Sequence, residues 1–117
     1  MLQAGSWLKI SDNSGAKKVR CLNSSKNKLS CGDFTAASVR KLRKNSKLKV
    51  GEVHYIKLLR TKTNVNRKSG SHVKFSRNEA ILLTSQKLPR ANRFFGPISR
   101  DLIKKSTKLG HISSYLI

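Results

Sequence analysis

Twenty-six lysines and arginines stand against five acids in this 117-residue chain, a formal charge of +21 at pH 7, and no other feature limits its possible folds as strongly. Most of the cations have no acid to pair with, and self-repulsion on this scale opposes a compact state until a polyanion neutralises it. Nucleic acid is the commonest such partner; an anionic membrane is the other. A membrane partner needs a long apolar run or a strongly amphipathic helix. The longest uncharged apolar stretch, around residues 80–83, has only the length of a strand. With 37% hydrophobic and 6% aromatic residues there is material for one thin core, so a single domain over 1–117, held partly from outside, is expected.

The local patterns are those of a β protein. Strand signals fall at 7–10, 18–22, 34–39, 53–59, 72–75 and 80–83, separated by Asp-Asn-Ser-Gly at 12–15, Cys-Gly-Asp at 31–33, Val-Gly-Glu at 50–52, Lys-Ser-Gly-Ser at 68–71 and Ser-Arg-Asn at 76–78. Alternation in His72-Val73-Lys74-Phe75 sends Val73 and Phe75 to one face, as in a half-buried strand. Short strands with glycine-marked turns favour a small closed barrel, because closure leaves no unpaired edge. After Gly96-Pro97, Ile98, Leu102 and Ile103 recur at helical spacing with Ser99 as a cap. The pattern predicts a short helix over 98–105, in a tail of 98–117 that follows a barrel in about 1–97.

Little points to catalysis. Asp12, Asp33, Glu52, Glu79 and Asp101 are scattered singly, so no local carboxylate pair suggests a metal nuclease or a glycosidase. His54, His72 and His111 are isolated and read as ordinary half-exposed rings. Cys21 and Cys31 have no Cys-x-x-Cys or His pair beside them and read as reduced, small apolar residues. Neither a nucleophile elbow nor a phosphate-cradling glycine loop occurs. No enzyme, cofactor, metal or small-molecule substrate is expected. The first residues carry no secretory or Arg-rich leader pattern, so the protein is expected to work where it is made or to have lost its targeting segment.

The cations are organised. Residues 40–49 hold six of them in ten positions, Arg40, Lys41, Arg43, Lys44, Lys47 and Lys49, without an acid. Such a run is either a solvated loop or an arm. Leu42 and Leu48 flank Asn45-Ser46 as if facing each other across a β-ribbon, which favours the arm. A second group comprises Arg60, Lys62, Arg67, Lys68, Lys74 and Arg77; a third, Arg90, Arg93, Arg100, Lys104, Lys105 and Lys108. Cations on three separate segments suit a folded RNA that surrounds the protein better than a single helix docked in a DNA groove. Aromatics are too sparse for stacking platforms, and Phe94-Phe95, the one adjacent pair, is expected to anchor its segment in the core.

Several blocks together carry a resemblance. They are Leu8-Lys-Ile-Ser-Asp-Asn-Ser-Gly-Ala-Lys-Lys-Val-Arg-Cys21, Cys31-Gly-Asp33, Val50-Gly-Glu-Val53, Leu59-Arg-Thr-Lys62, Ser69-Gly-Ser71, Phe75-Ser-Arg-Asn-Glu-Ala-Ile-Leu-Leu83 and Arg93-Phe-Phe-Gly-Pro-Ile-Ser-Arg-Asp-Leu102. In order and spacing, from Met1 to Ile117, the chain resembles the universal large-subunit ribosomal protein family numbered fourteen. The resemblance implies a five-stranded β-barrel with a projecting β-ribbon and short C-terminal helices. It also implies a seat on the intersubunit face of the large subunit, where the family binds large-subunit rRNA, neighbours another large-subunit protein and reaches small-subunit rRNA in a bridge. On that reading the rRNA-binding residues are Lys17, Lys18, Arg40, Lys41, Arg43, Lys44, Lys47, Lys49, Arg60, Lys62, Arg67, Lys68, Ser71, Arg77 and Arg90. Asn92, Arg93, Arg100 and Lys108 would form a patch for the bridge or for a ribosome silencing factor.

The chain also departs from the family pattern. Gly-Thr-Arg before Phe-Gly-Pro is here Ala91-Asn92-Arg93, and Pro-Asp-Gly-Ser is Lys68-Ser69-Gly70-Ser71. Enrichment in Lys, Asn and Ser resembles a product of an AT-rich organelle genome, favouring the mitochondrial matrix over a plastid or a bacterial cytoplasm. Two other functions compete with a structural rRNA-binding protein: a free nucleic-acid-binding regulator or chaperone, and a nuclease.

Overall fold

Leu8 and Ile10 point to one side of the first strand, and Trp7 and Lys9 to the other; five strands that share this alternation build the molecule. The computed structural model describes residues 3–22, 29–91, 93–100, 102 and 115–116. In chain order the strands are β1 (Trp7–Ile10), β2 (Ala16–Cys21), β3 (Phe34–Leu42), β4 (Val53–Arg60), β5 (Val65–Asn66), β6 (His72–Val73), β7 (Glu79–Leu82), β8 (Pro97–Ile98) and β9 (Tyr115–Leu116). A closed barrel forms in the order β1-β2-β3-β4-β7. Its pairs are antiparallel except where β1 meets β7 in parallel, which closes the ring. Closure leaves no barrel edge open to another chain's strand.

The interior is filled by Leu8, Ile10, Val19, Cys21, Ala37, Val39, Ile56, Leu58, Ala80 and Leu82, all buried. A second cluster lies beyond the barrel wall: Leu59, Ile81 and Leu83 on one side, Phe94, Ile98 and Leu102 on the other. Leu58-Leu59 and the run at 80–83 therefore abandon alternation because β4 and β7 are covered on both faces, a situation that produces continuous apolar runs. Burying a Leu or Phe contributes about 1.5–3 kcal/mol, so the segment through Phe94 and Leu102 adds a stabilising layer.

Asp12 pins that layer to the barrel. One carboxylate oxygen accepts from the Ser14 N–H at 3.1 Å and its hydroxyl at 2.5 Å, and the other accepts from the Leu82 N–H at 3.1 Å. The Asp12 backbone bridges to Phe94. Gly15 completes the turn at φ +107°, where a side chain would strike Ser46. The Asp-Asn-Ser-Gly block is thus a junction of β1, β7 and the C-terminal segment.

Three expectations need correction. Residues 40–49 form no ribbon: Leu42 pairs with Ala16 on β2, and Leu48 drops into the barrel core rather than facing Leu42 across a second strand. Asn45 turns the chain at φ +61°, and the Ser46 hydroxyl accepts from the Leu48 N–H at 3.1 Å, so a loop plugs the barrel end. The two-stranded ribbon outside the barrel is β5–β6, joined through the turn at 67–71. Ile98 does not begin a helix but lies in β8, paired in parallel with β9. Leu102 is the one described residue with helical geometry, and 103–105 lie outside the described residues. Finally, only Phe94 of the aromatic pair is buried, at 3% exposure; Phe95 is 45% exposed. The other strand expectations match within a few residues, with β6 shorter than 72–75. Cys21 is buried and Cys31 half-buried, and they do not pair as a disulfide. Among the described residues no helix is long and apolar enough to cross a membrane.

Candidate nucleic-acid interface

Strand register places cations from distant segments side by side. Lys9 of β1 lies opposite Lys18 of β2, and Lys18 opposite Lys41 of β3. On its other side Lys9 lies beside Glu79 of β7, and Glu79 beside Arg60 of β4. The row around the barrel is thus Arg60, Glu79, Lys9, Lys18, Lys41. Its acid is already engaged: Arg60 Nη1 lies 2.6 Å from Glu79 Oε2, and both side chains are largely buried. Like charges directly opposite each other destabilise a sheet, so the three lysines have no rationale within the chain alone.

A register shift in β2 around Lys18 marks a bulge that leaves Lys17 exposed next to Lys18, adding a further ammonium to the same face. Two adjoining grooves run along this face and share Lys9, Lys18 and Arg77. The first, about 290 Å³, is also lined by Trp7 and Lys62. The second, about 500 Å³, adds Lys17, Lys41, Arg43 and Phe95. Cations from all of β1, β2, β3 and the segments at 60–62 and 77 therefore meet in one trough. A backbone of phosphates fits it by charge, without any need for base-edge contacts.

The other candidate residues distribute as follows. Arg40, Lys44, Lys47 and Lys49 are exposed around the plugging loop. Arg60 lines the second groove but is largely buried: burial pulls its guanidinium down from the usual value, the Glu79 carboxylate opposes that shift, and Nη2 donates to the Phe95 carbonyl. Arg67 donates to the Ser99 hydroxyl at 3.3 Å and, with Lys68, borders a separate hollow beside β5 and β6. Ser71 is exposed in the β5–β6 turn. Arg90 lies on the far side of the barrel, 3.3 Å from His54 Nδ1, while His54 Nε2 contacts Glu52 at 2.9 Å. That contact holds the Glu52 carboxyl below the usual value. Of the proposed bridge patch, Arg93 and Arg100 are exposed, whereas Asn92 and Lys108 lie outside the described residues.

Lys9 was missed by the grouping of cations along the sequence, since it stands alone between Leu8 and Ile10. The signal was present in the alternation of Trp7-Leu8-Lys9-Ile10, which sends Lys9 outward. The register that seats it beside Lys18 comes from the turn at 12–15.

Among the described acids, Glu79 lines the second groove and is ion-paired with Arg60. Asp12 is buried and saturated with donors, and burial pushes its carboxyl up. Asp33 accepts from the Ser30 N–H and hydroxyl at 2.9 and 3.0 Å. Among the described residues no three His, Cys, Asp or Glu side chains converge as metal ligands.

The family described as Ribosomal protein L14p/L23e matches residues 1–117. The large ribosomal subunit protein uL14c of Helicosporidium sp. subsp. Simulium jonesii is 38% identical over 102 residues, covering 84% of each chain.

Proposed function

Because the chain belongs to the L14p/L23e family of ribosomal proteins, we propose that it binds large-subunit rRNA through the trough on β1, β2 and β3. It is a structural protein of the large ribosomal subunit, acting in translation, and not an enzyme. The observation that supports the rRNA seat is the row Lys9, Lys18, Lys41, three cations in cross-strand register without a free acid between them. Isolated, they repel; against phosphates each becomes favourable, and release of condensed counterions drives association. Arg40, Lys44, Lys47 and Lys49 extend the same field around the barrel end, and Arg67, Lys68 and Ser71 offer a second contact on the β5–β6 ribbon.

The exposed Arg93 and Arg100, with Asn92 and Lys108, are proposed to form the surface for a small-subunit rRNA bridge or for a ribosome silencing factor. A neighbouring large-subunit protein completes the surroundings. We read residues 1–117 as a single domain and assign the protein to an organellar ribosome, mitochondrial in preference to plastid, on its Lys, Asn and Ser enrichment.

Salt titration tests the rRNA seat. Binding to a large-subunit rRNA fragment should weaken with a log–log slope of about −0.7 to −0.9 per phosphate contact, and steeper than about −4 in total. A slope near zero removes the electrostatic mechanism. Retention on large subunits sedimented in high salt separates an integral component from a free regulator, which washes off.

A further inference from the structure

The geometry points to Phe95 as a stacking seat for an unpaired nucleobase of the RNA that lies along the lysine row, so that the trough selects RNA interrupted by a bulge or loop over an unbroken duplex. This rests on the rRNA reading and adds a structural preference to it.

The ring is placed outside by construction. Phe94 is buried in the second cluster, and the next residue, Phe95, turns out to solvent at 45% exposure. Its backbone is fixed on both sides. The Phe95 N–H donates to the Ser11 carbonyl at 2.8 Å, the Asn13 N–H donates to the Arg93 carbonyl at 3.4 Å, and the Phe95 carbonyl accepts from Arg60. Gly96 follows at φ +87°, and the Arg60 guanidinium occupies the space that a side chain there would need. A ring left half outside forgoes part of its burial gain, and here it does so on a rigid mount.

Two guanidiniums from separate segments lie over the ring, Arg43 from the plugging loop at 6.0 Å from its centroid and Arg93 at 5.6 Å. Phe95 also lines the larger groove together with Lys9, Lys17, Lys18 and Lys41. A half-exposed aromatic ring overlain by guanidiniums, beside a track of ammonium groups, is an arrangement that holds unpaired bases, the cations following the backbone and the ring taking a base. In an unbroken duplex the base faces are stacked on one another and the ring would find none. Trp7, the single tryptophan, lines the adjoining groove with Lys9 and Lys18 and serves as an independent reporter of RNA in the trough.

The test uses the full chain and two RNA hairpins of equal length and charge, one fully paired and one with a single bulged 2-aminopurine. Wild type should quench the 2-aminopurine and bind the bulged hairpin more tightly. Phe95→Leu should abolish that quenching and weaken the bulged hairpin about 5- to 100-fold, with the paired hairpin and the Trp7 response unchanged. Phe95→Tyr should retain both. Circular dichroism and urea unfolding check that Phe95→Leu, at an exposed position, keeps its fold.

A Phe95→Leu protein that binds both hairpins as wild type does, with Trp7 still responding, overturns the stacking seat while leaving the trough standing. If that variant instead lost only silencing-factor binding, the ring would belong to a protein contact, which also overturns it. Failure of the trough itself reads out differently: Lys9, Lys18 and Lys41 changed together to Gln would then leave both hairpins bound as before.

Discussion

The outer face of β1, β2 and β3 and the outer face of β4 and β7 are walls of one barrel with opposite completions. On β4 and β7 the outward residues Leu59, Ile81 and Leu83 are apolar, and the chain covers them with its own Phe94, Ile98 and Leu102. On β1, β2 and β3 the outward row is Lys9, Lys18 and Lys41, and among the described residues the one acid beside it, Glu79, is already held by Arg60. The first wall is finished by folding. On the rRNA reading proposed above, the second is finished by an outside polyanion, so a chain of this charge would be compact in its particle and self-repelling when free. Arg60 and Glu79 form the seam between the walls, one bonded to the other beneath the Phe95 carbonyl.

Substitutions on the covered wall should have the largest effect on stability. Phe94→Ala opens a cavity in the second cluster and should cost about 3–5 kcal/mol in urea unfolding. Its neighbour gives the contrast: Phe95→Ala, at an exposed position, should stay within about 0.5 kcal/mol of wild type. Equal losses at the two positions would mean that both rings support the fold and that the walls do not differ as described.

The open wall should respond in the reverse sense. Changing Lys9, Lys18 and Lys41 together to Gln should lower the salt slope of rRNA binding by about 2–3. The free protein should become more stable, by about 0.2–1 kcal/mol for each like-charge pair relieved. Loss of both affinity and stability would show that the row contributes to the fold. At the seam, Glu79→Gln leaves a largely buried guanidinium without its carboxylate and should cost about 3 kcal/mol, the lower end for a broken buried pair because the Gln carbonyl can still accept. A neutral result there would mean that Arg60 is held by the Phe95 carbonyl alone.

Much of the barrel was legible because its inward residues alternate, as in Trp7-Leu8-Lys9-Ile10, and because glycine marks its turns. The run at 80–83 could be seen as strand-sized, but one stretch of apolar residues does not reveal that both its faces are covered, since the covering segment is some fifteen residues downstream. The loop at 43–49 was misread for a related reason. Leu42 and Leu48 are spaced as a hairpin pair would be, and only the closed barrel shows that a single core end takes both. The trough was legible as charge but not as geometry. Lys9 and Arg77 lie 68 positions apart in the chain, and β1 and β7 bring them together only through the parallel pairing that closes the ring.

The smallest effect expected is in pH dependence, and it distinguishes the buried junction acid from the exposed one. Burial raises the Asp12 pKa above 3.8, against donors from Ser14 and Leu82. The folded state therefore holds this proton more tightly than the unfolded chain, so the contribution of Asp12 to stability is greatest below 3.8 and declines as pH rises toward the folded value. Asp12→Asn removes that dependence, at the cost of a Leu82 N–H left without an acceptor, about 1–3 kcal/mol at every pH. The variant should be the less stable protein throughout, by a margin that narrows as pH rises above 3.8 and the wild-type carboxyl ionises. Glu52→Gln should behave oppositely. The hydrogen bond from His54 lowers the Glu52 pKa below 4.5, so its stabilising contribution is present above 4.5 and fades as pH falls, and the margin should widen with rising pH and shrink in high salt. Urea midpoints for the two variants across this range provide the measurement. A margin for Asp12→Asn that stays constant with pH would mean that its donors offset burial fully, and the junction between the two walls would then carry no electrostatic strain.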